Sequence, residues 1–273
     1  MSAQVRDTSR EAEEVRLQLW RDMTPGQRMR AFLAINRMSR RALWDGLHER
    51  HPRADDAEIR GRYAALILGA ELSHTVYAHQ GGPDVDADIR AAIEGVTATM
   101  DALGIRYAIG GSIASSYYGV NRTTYDVDLV ADFQRQHVEP FCCAVEGNYY
   151  VAREAVLDAI ARESSFNLVH NETALKVDIF VGGRQEFART QLARRIARDQ
   201  DGTVLYYASP EDTILAKLRW YRMGGETSER QWNDLTQVAQ ACRDTLDLDY
   251  MHDMAGELGV TDLLKRAMAE AAL

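Results

Sequence analysis

The chain has 273 residues, a net charge of −9 and three cysteines. That length favours two domains over one, each large enough to bury a core, and the acidic balance disfavours a broad nucleic-acid-binding surface while leaving room for a local basic groove. The odd cysteine count, with Cys142 and Cys143 adjacent, argues against a disulfide framework; no apolar run spans a bilayer and no apolar signal core opens the chain, so a cytoplasmic protein is expected.

Residues 1–82 read as a helical module of about three helices. Glu11 to Arg21 forms the first. Thr24-Pro25-Gly26-Gln27 has the form of a capping box with proline at the first helical position, so a second helix begins there. It carries Met29, Phe32, Leu33, Leu43 and Leu47 on one side, with Asn36 and Arg40 interrupting the stripe, and it ends at His51-Pro52. A third helix from Asp56 to about Ala78 places Ile59, Tyr63, Leu66, Ala70 and Tyr77 on one face. The spacings of His48, His51, His74 and His79 do not give the i, i+4 pair of a helical metal site. Gln80-Gly81-Gly82-Pro83-Asp84 reads as the linker to the next domain.

Residues 83–208 alternate helix and strand. A helix from Val85 to about Leu103 leads into a strand at Ile105 to Ile109, then a Gly-Gly-Ser turn, a short helix and a strand ending near Val130. Gln136 to Gly147 reads as a helix burying Val138, Phe141, Cys142 and Val145. A short strand at Tyr149 to Val151, a helix from Arg153 to Arg162, and a hairpin of Phe166–Val169 with Ala174–Val181 follow. Next come a helix over Arg184 to Arg195 and a hairpin turning at Asp201-Gly202 into the strand Val204 to Tyr207. Residues 209–273 read as a C-terminal helical region. Ser209-Pro210-Glu211-Asp212 caps its first helix, Gly224-Gly225 stops that helix, and Thr227-Ser228 starts the next. The fold class is therefore α+β: a small mixed sheet flanked by helices, with helical segments at both ends.

The chemistry is expected on the strand carrying Asp126 and Asp128. Alternation with Val127 and Leu129 sends both carboxylates to one side and the apolar residues to the core. Two carboxylates so close repel unless a cation lies between them, and magnesium suits oxygen ligands shared with substrate phosphates. Gly110 and Gly111 allow close backbone approach, and Ser112 with the helix start offers donors to a phosphate. In ALKVDIFV, Val177, Ile179 and Val181 point one way while Lys176 and Asp178 point the other. If that strand lies beside Asp126, Asp178 completes a set of three carboxylates and Lys176 comes within reach of phosphate. A half-buried strand with one solvated face satisfies the same alternation. Arginine outnumbers lysine 29 to 3, which makes each lysine worth inspecting.

Gly-Gly-Ser, thirteen residues, Asp-x-Asp, and later Lys-x-Asp on a strand resemble the DNA polymerase beta-like nucleotidyltransferase superfamily. The Ser-Pro-Glu-Asp cap, Lys217 eight residues after its serine, and the Arg230-x-x-x-Asp234 helix resemble the later motifs of nucleotidyltransferase toxins of the bacterial abortive-infection type. The match covers roughly residues 86–245; Gln231, Trp232 and Asn233 stand where such toxins carry a more basic stretch.

The resemblance implies transfer of a nucleoside monophosphate from a nucleoside triphosphate to an acceptor hydroxyl, with about two Mg2+ ions held by Asp126, Asp128 and Asp178. It implies nucleotide contacts from Gly110, Gly111, Ser112, Lys176 and Lys217, with Asp234 supporting the site. On spacing alone, Lys217 is equally a solvated helix lysine and Asp234 a surface acid paired with Arg230. RNA, especially transfer RNA ends, ranks first as acceptor by resemblance, ahead of protein side chains and small molecules such as aminoglycosides. A protein partner or antitoxin, within a toxin–antitoxin or phage-defence system, fits the same resemblance. The alternative in another class is a nucleotide-sensing or partner-binding protein that uses the pocket without turnover.

Overall fold

The computed structural model describes residues 22–68, 85–120, 126–171, 175–182, 185–200 and 202–271. The expected helix at Glu11 to Arg21, the end of the third helix, His74, His79 and the linker at Gln80 to Asp84 lie outside them.

Helix α1 (Pro25–Arg50) begins as its sequence dictates. The Thr24 N–H donates to Gln27 Oε1 at 2.7 Å, and the Gln27 N–H donates to Thr24 Oγ1 at 3.3 Å. Asn36 and Arg40 do not break its buried face but lie within it, both fully buried. Asn36 goes inside because its Nδ2 donates to the Phe32 carbonyl at 2.9 Å, a bond along its own helix. The helix serves two cores. Met29 and Phe32 enter the main apolar cluster, whereas Trp44 and Leu47 pack with Ile59 and Tyr63 of α2 (Asp56–Leu68) in a second, smaller one. Leu66, expected on that packed face, is 61% exposed, and Ile67 packs there instead. The contact follows the i, i+4, i+8 ridge Ile59–Tyr63–Ile67, which leaves the i+7 position outside.

The remaining elements run α3 (Val85–Ala102), β1 (Tyr107–Ile109), α4 (Gly111–Tyr118), β2 (Asp126–Ala131), α5 (Val138–Val145), β3 (Tyr149–Val151), α6 (Arg153–Arg162), β4 (Ser165–His170), β5 (Lys176–Val181), α7 (Glu186–Ala193), β6 (Ile196–Gln200), β7 (Thr203–Tyr207), α8 (Pro210–Met223), α9 (Glu229–Cys242), α10 (Leu248–Glu257) and α11 (Thr261–Glu270). Among the described residues the strands form one seven-stranded sheet in the order β3-β4-β5-β2-β1-β7-β6. It is mixed: β2 runs parallel to β5 and β1 to β7, and the other neighbours are antiparallel. The fold is α+β, a mixed sheet flanked by helices.

The two faces of the sheet differ, and that difference positions the site. Tyr107, Ile109, Val127, Leu129, Leu168, Val177 and Ile179 join the main core with Val96 and Met100 of α3 and Phe141 of α5. On the other face α7 covers only part of the surface, where Leu192 packs with Ala108, Ala208 and Val130. The rest of that face carries the polar residues of β2 and β5. No described helix is long and apolar enough to cross a membrane. Cys142, Cys143 and Cys242 form no disulfide among the described residues.

Candidate active site

Period two in β2 and β5 buries Val127, Leu129, Ala131, Val177, Ile179 and Val181, and turns Asp126, Asp128, Lys176 and Asp178 to the opposite face. Parallel pairing then sets Asp126 beside Lys176 and Asp128 beside Asp178. The strand adjacency that the three-carboxylate reading required is present.

The Gly-Gly turn lies directly over these groups. The Gly110 N–H donates to the Asp128 carbonyl at 2.8 Å, tying the end of β1 to β2. Gly111 has φ +55°, and a Cβ placed on it would fall 1.8 Å from Asp128 Oδ2. Both its backbone conformation and its contact with the carboxylate therefore demand glycine. Helix α4 starts at this glycine, so its N-terminal end lies beside the Asp128 carboxylate. Ser112 is the second residue of α4 and is buried.

Burial is the largest influence on Asp128, and the like charges of Asp126 and Asp178 add to it. Together they push its carboxyl up to about 7, against the opposing pull of Lys217 and Lys176. Asp178 is also raised, chiefly by burial, although Lys176 Nζ lies 2.7 Å from its Oδ2 and favours its charged form.

The surface reading of Lys217 and Asp234 fails. Neither is a solvated surface group, and Arg230 is not needed to explain Asp234. Lys217 Nζ donates to Asp234 Oδ2 at 2.9 Å, with side chains only 9% and 5% exposed. Helix α8 is set for this by its cap: the Asp212 N–H donates to Ser209 Oγ at 3.1 Å, with Pro210 at the first position. The structure thus gathers Gly110, Gly111, Asp126, Asp128, Lys176 and Asp178 on β1, β2, β5 and the turn. Lys217, on α8, is near enough for its charge to oppose the rise of the Asp128 carboxyl, and it is bonded to Asp234 on α9.

The donor chemistry fits a hard divalent cation: the available ligands are carboxylate oxygens, and Asp128 is held up partly by carboxylate repulsion. Among the described residues, however, no three His, Cys, Asp or Glu side chains are gathered into a ligand group, and Asp178 is engaged by Lys176.

Two features near the site escaped the sequence reading. Phe180, two residues beyond Asp178 on the same face, meets Trp220, one turn beyond Lys217. Period two and the i+3 spacing could have found each singly, but not their contact. The other is a polar knot in which Ser209, Asp212, Tyr250 and Arg194 join the end of α7 to α8 and α10.

The profile of the Rv0078B-related antitoxin family matches residues 21–82, under a quarter of the 273-residue chain. No curated protein matches the chain. Among solved structures, an antigenic nucleotidyltransferase-like protein from Paracoccidioides brasiliensis aligns at 16% identity over 68% of this chain and 92% of its own, with a TM-score of 0.49. The antibiotic-resistance factor ANT(2'')-Ia aligns at 15% identity over 68% of this chain and 96% of its own, with a TM-score of 0.42. The lincosamide antibiotic adenylyltransferase LnuA aligns at 14% identity over 52% of this chain and 91% of its own, with a TM-score of 0.37. At such values the residues of the site, not these neighbours, have to carry a functional reading.

Proposed function

We propose that the chain transfers a nucleoside monophosphate from a nucleoside triphosphate to an acceptor hydroxyl. The observation that carries this is the packing of Gly111 against the Asp128 carboxylate, with Asp178 adjacent in register: a phosphate-approachable turn and three carboxylates share one face of the sheet. Backbone N–H groups at the start of α4, with Lys176 and Lys217, bind and orient the triphosphate. Asp178 accepts the proton of the acceptor hydroxyl, whose oxygen forms a new bond to the α-phosphorus as the bond to the pyrophosphate leaving group breaks. Asp126 and Asp128, joined by Asp178 once Lys176 releases it, would hold the magnesium, which when bound neutralises charge on the triphosphate. RNA, with transfer RNA ends foremost, is the acceptor class we favour on the motif resemblance.

The deciding experiment incubates the protein with each of the four α-labelled triphosphates, magnesium and separated RNA, protein and small-molecule fractions, beside Asp128→Asn. Label in one fraction, absent with the variant, is the expected result. Label transfer by Asp128→Asn would sink the mechanism, and triphosphate binding without label anywhere would favour a nucleotide sensor.

A second reading concerns residues 21–82: the antitoxin-related match and the packing of α1 on α4 support a helical module that restrains the core in cis. Arg28 Nη1 donates to the Tyr117 carbonyl of α4 at 3.5 Å. Met29 and Phe32 belong to the main core, so deletion of the module would damage the enzyme itself. Arg28→Glu loosens the contact without emptying the core, and a faster transfer rate is expected. An unchanged rate counts against restraint.

A further inference from the structure

The half-exposed ring of Trp220 has no role in the core. On α8 its neighbours Leu215 and Leu218 are buried, whereas Trp220 is 45% exposed. Its ring is propped by Phe180, with centroids 5.6 Å apart and planes at 61°. This edge contact leaves indole surface open to solvent and fixes the ring at small entropic cost.

The position of the pair matters more than its exposure. Phe180 follows Asp178 by two residues on the same face of β5, about 7 Å along the strand. Trp220 follows Lys217 by three residues on α8, about one helical turn. The pair therefore stands next to Asp178 on one element and next to Lys217 on another, at spacings shorter than a nucleotide.

We propose that Trp220, held by Phe180, is the stacking platform for a nucleobase at the transfer site. The inference rests on the nucleotidyl-transfer reading and adds to it the residue that receives the base. The base belongs either to the incoming triphosphate or to the acceptor nucleotide. Because every base offers a π-face, a platform of this kind tolerates all four and discriminates weakly.

The test measures binding of ATP and of inorganic tripolyphosphate, which lacks a base, to the full-length protein, its Trp220→Ala variant and its Trp220→Phe variant. The expected result is ATP binding weakened roughly 5- to 100-fold by Trp220→Ala, largely restored by Trp220→Phe, with tripolyphosphate binding unchanged. Unchanged ATP binding with a similar rise in KM for an oligonucleotide acceptor assigns the platform to the acceptor base. No effect on either, or equal loss of ATP and tripolyphosphate, overturns the proposal. Failure of the wild-type protein to bind ATP or tripolyphosphate would remove the nucleotidyl-transfer reading and this platform together.

Discussion

Asp128 and Asp212 are both buried carboxylates, pushed up to about 7 and about 6, and burial is the largest cause for each. Their surroundings differ in kind. Asp212 is enclosed by donors: the Tyr250 hydroxyl donates to its Oδ1 at 2.5 Å, the Ser209 hydroxyl to its Oδ2 at 3.0 Å, and Arg194 stacks on Tyr250 at 3.8 Å. Asp128 instead faces Asp126 and Asp178, and the lysines that oppose them are already engaged by Asp178 and Asp234. A buried acid surrounded by donors locks elements together. A buried acid kept among other acids lowers stability, and such an arrangement is retained where a cation or a reacting group will use it.

Three measurements sharpen that contrast. The largest effect is expected from Lys217→Met, which removes the buried cation bonded to Asp234. A loss of about 3–5 kcal/mol in urea unfolding is the expectation, with much of it regained in the double variant Lys217→Met/Asp234→Leu. An equal loss in the double variant would show that the pair is not a coupled unit.

Next comes the pH dependence set by Asp212. Its folded-state carboxyl lies above the ordinary value of 3.8, so its stabilising contribution is fully present below about pH 4 and lost as pH rises through about 6. Wild-type unfolding free energy should therefore fall relative to Asp212→Asn across that window, by roughly 3 kcal/mol at most. Parallel pH profiles would mean that the donors around Asp212 fully offset its burial.

The smallest effect separates the two acids most directly. Magnesium at ten times its dissociation constant should stabilise the wild-type protein by about 1.4 kcal/mol in thermal unfolding, leave Asp212→Asn equally responsive, and leave Asp128→Asn unresponsive. Stabilisation of Asp128→Asn would place the cation elsewhere.

Local features were legible in the chain itself. The capping box of Thr24 and Gln27 and the proline-assisted cap at Ser209 start helices where they stand. The alternation of DVDLV and KVDIF identified the acidic face before any strand was paired. The errors came where one residue has two possible environments. Asn36 and Arg40 looked like interruptions and are interior, Leu66 looked interior and is exposed, and Lys217 with Asp234 admitted a surface reading that burial excludes. Side-chain polarity sets what a position prefers, whereas neighbours distant in sequence decide what it receives. The match of residues 21–82 to an antitoxin-related profile was not foreseen either, because that segment carries no reactive motif of its own.

The sequence by itself determined the helix caps, the period-two faces of the two central strands and the glycine turn ahead of the first of them. These depend on backbone preference and side-chain order over a few residues, and they hold in any context that lets the segments fold. Only the tertiary structure decided that β2 and β5 are parallel neighbours in a register that aligns Asp128 with Asp178, and that Gly111 rests on Asp128. It likewise closed Lys217 onto Asp234 and set Trp220 against Phe180. Strand order and register follow from how the whole sheet and its helices bury their apolar faces together, and no local segment contains that information.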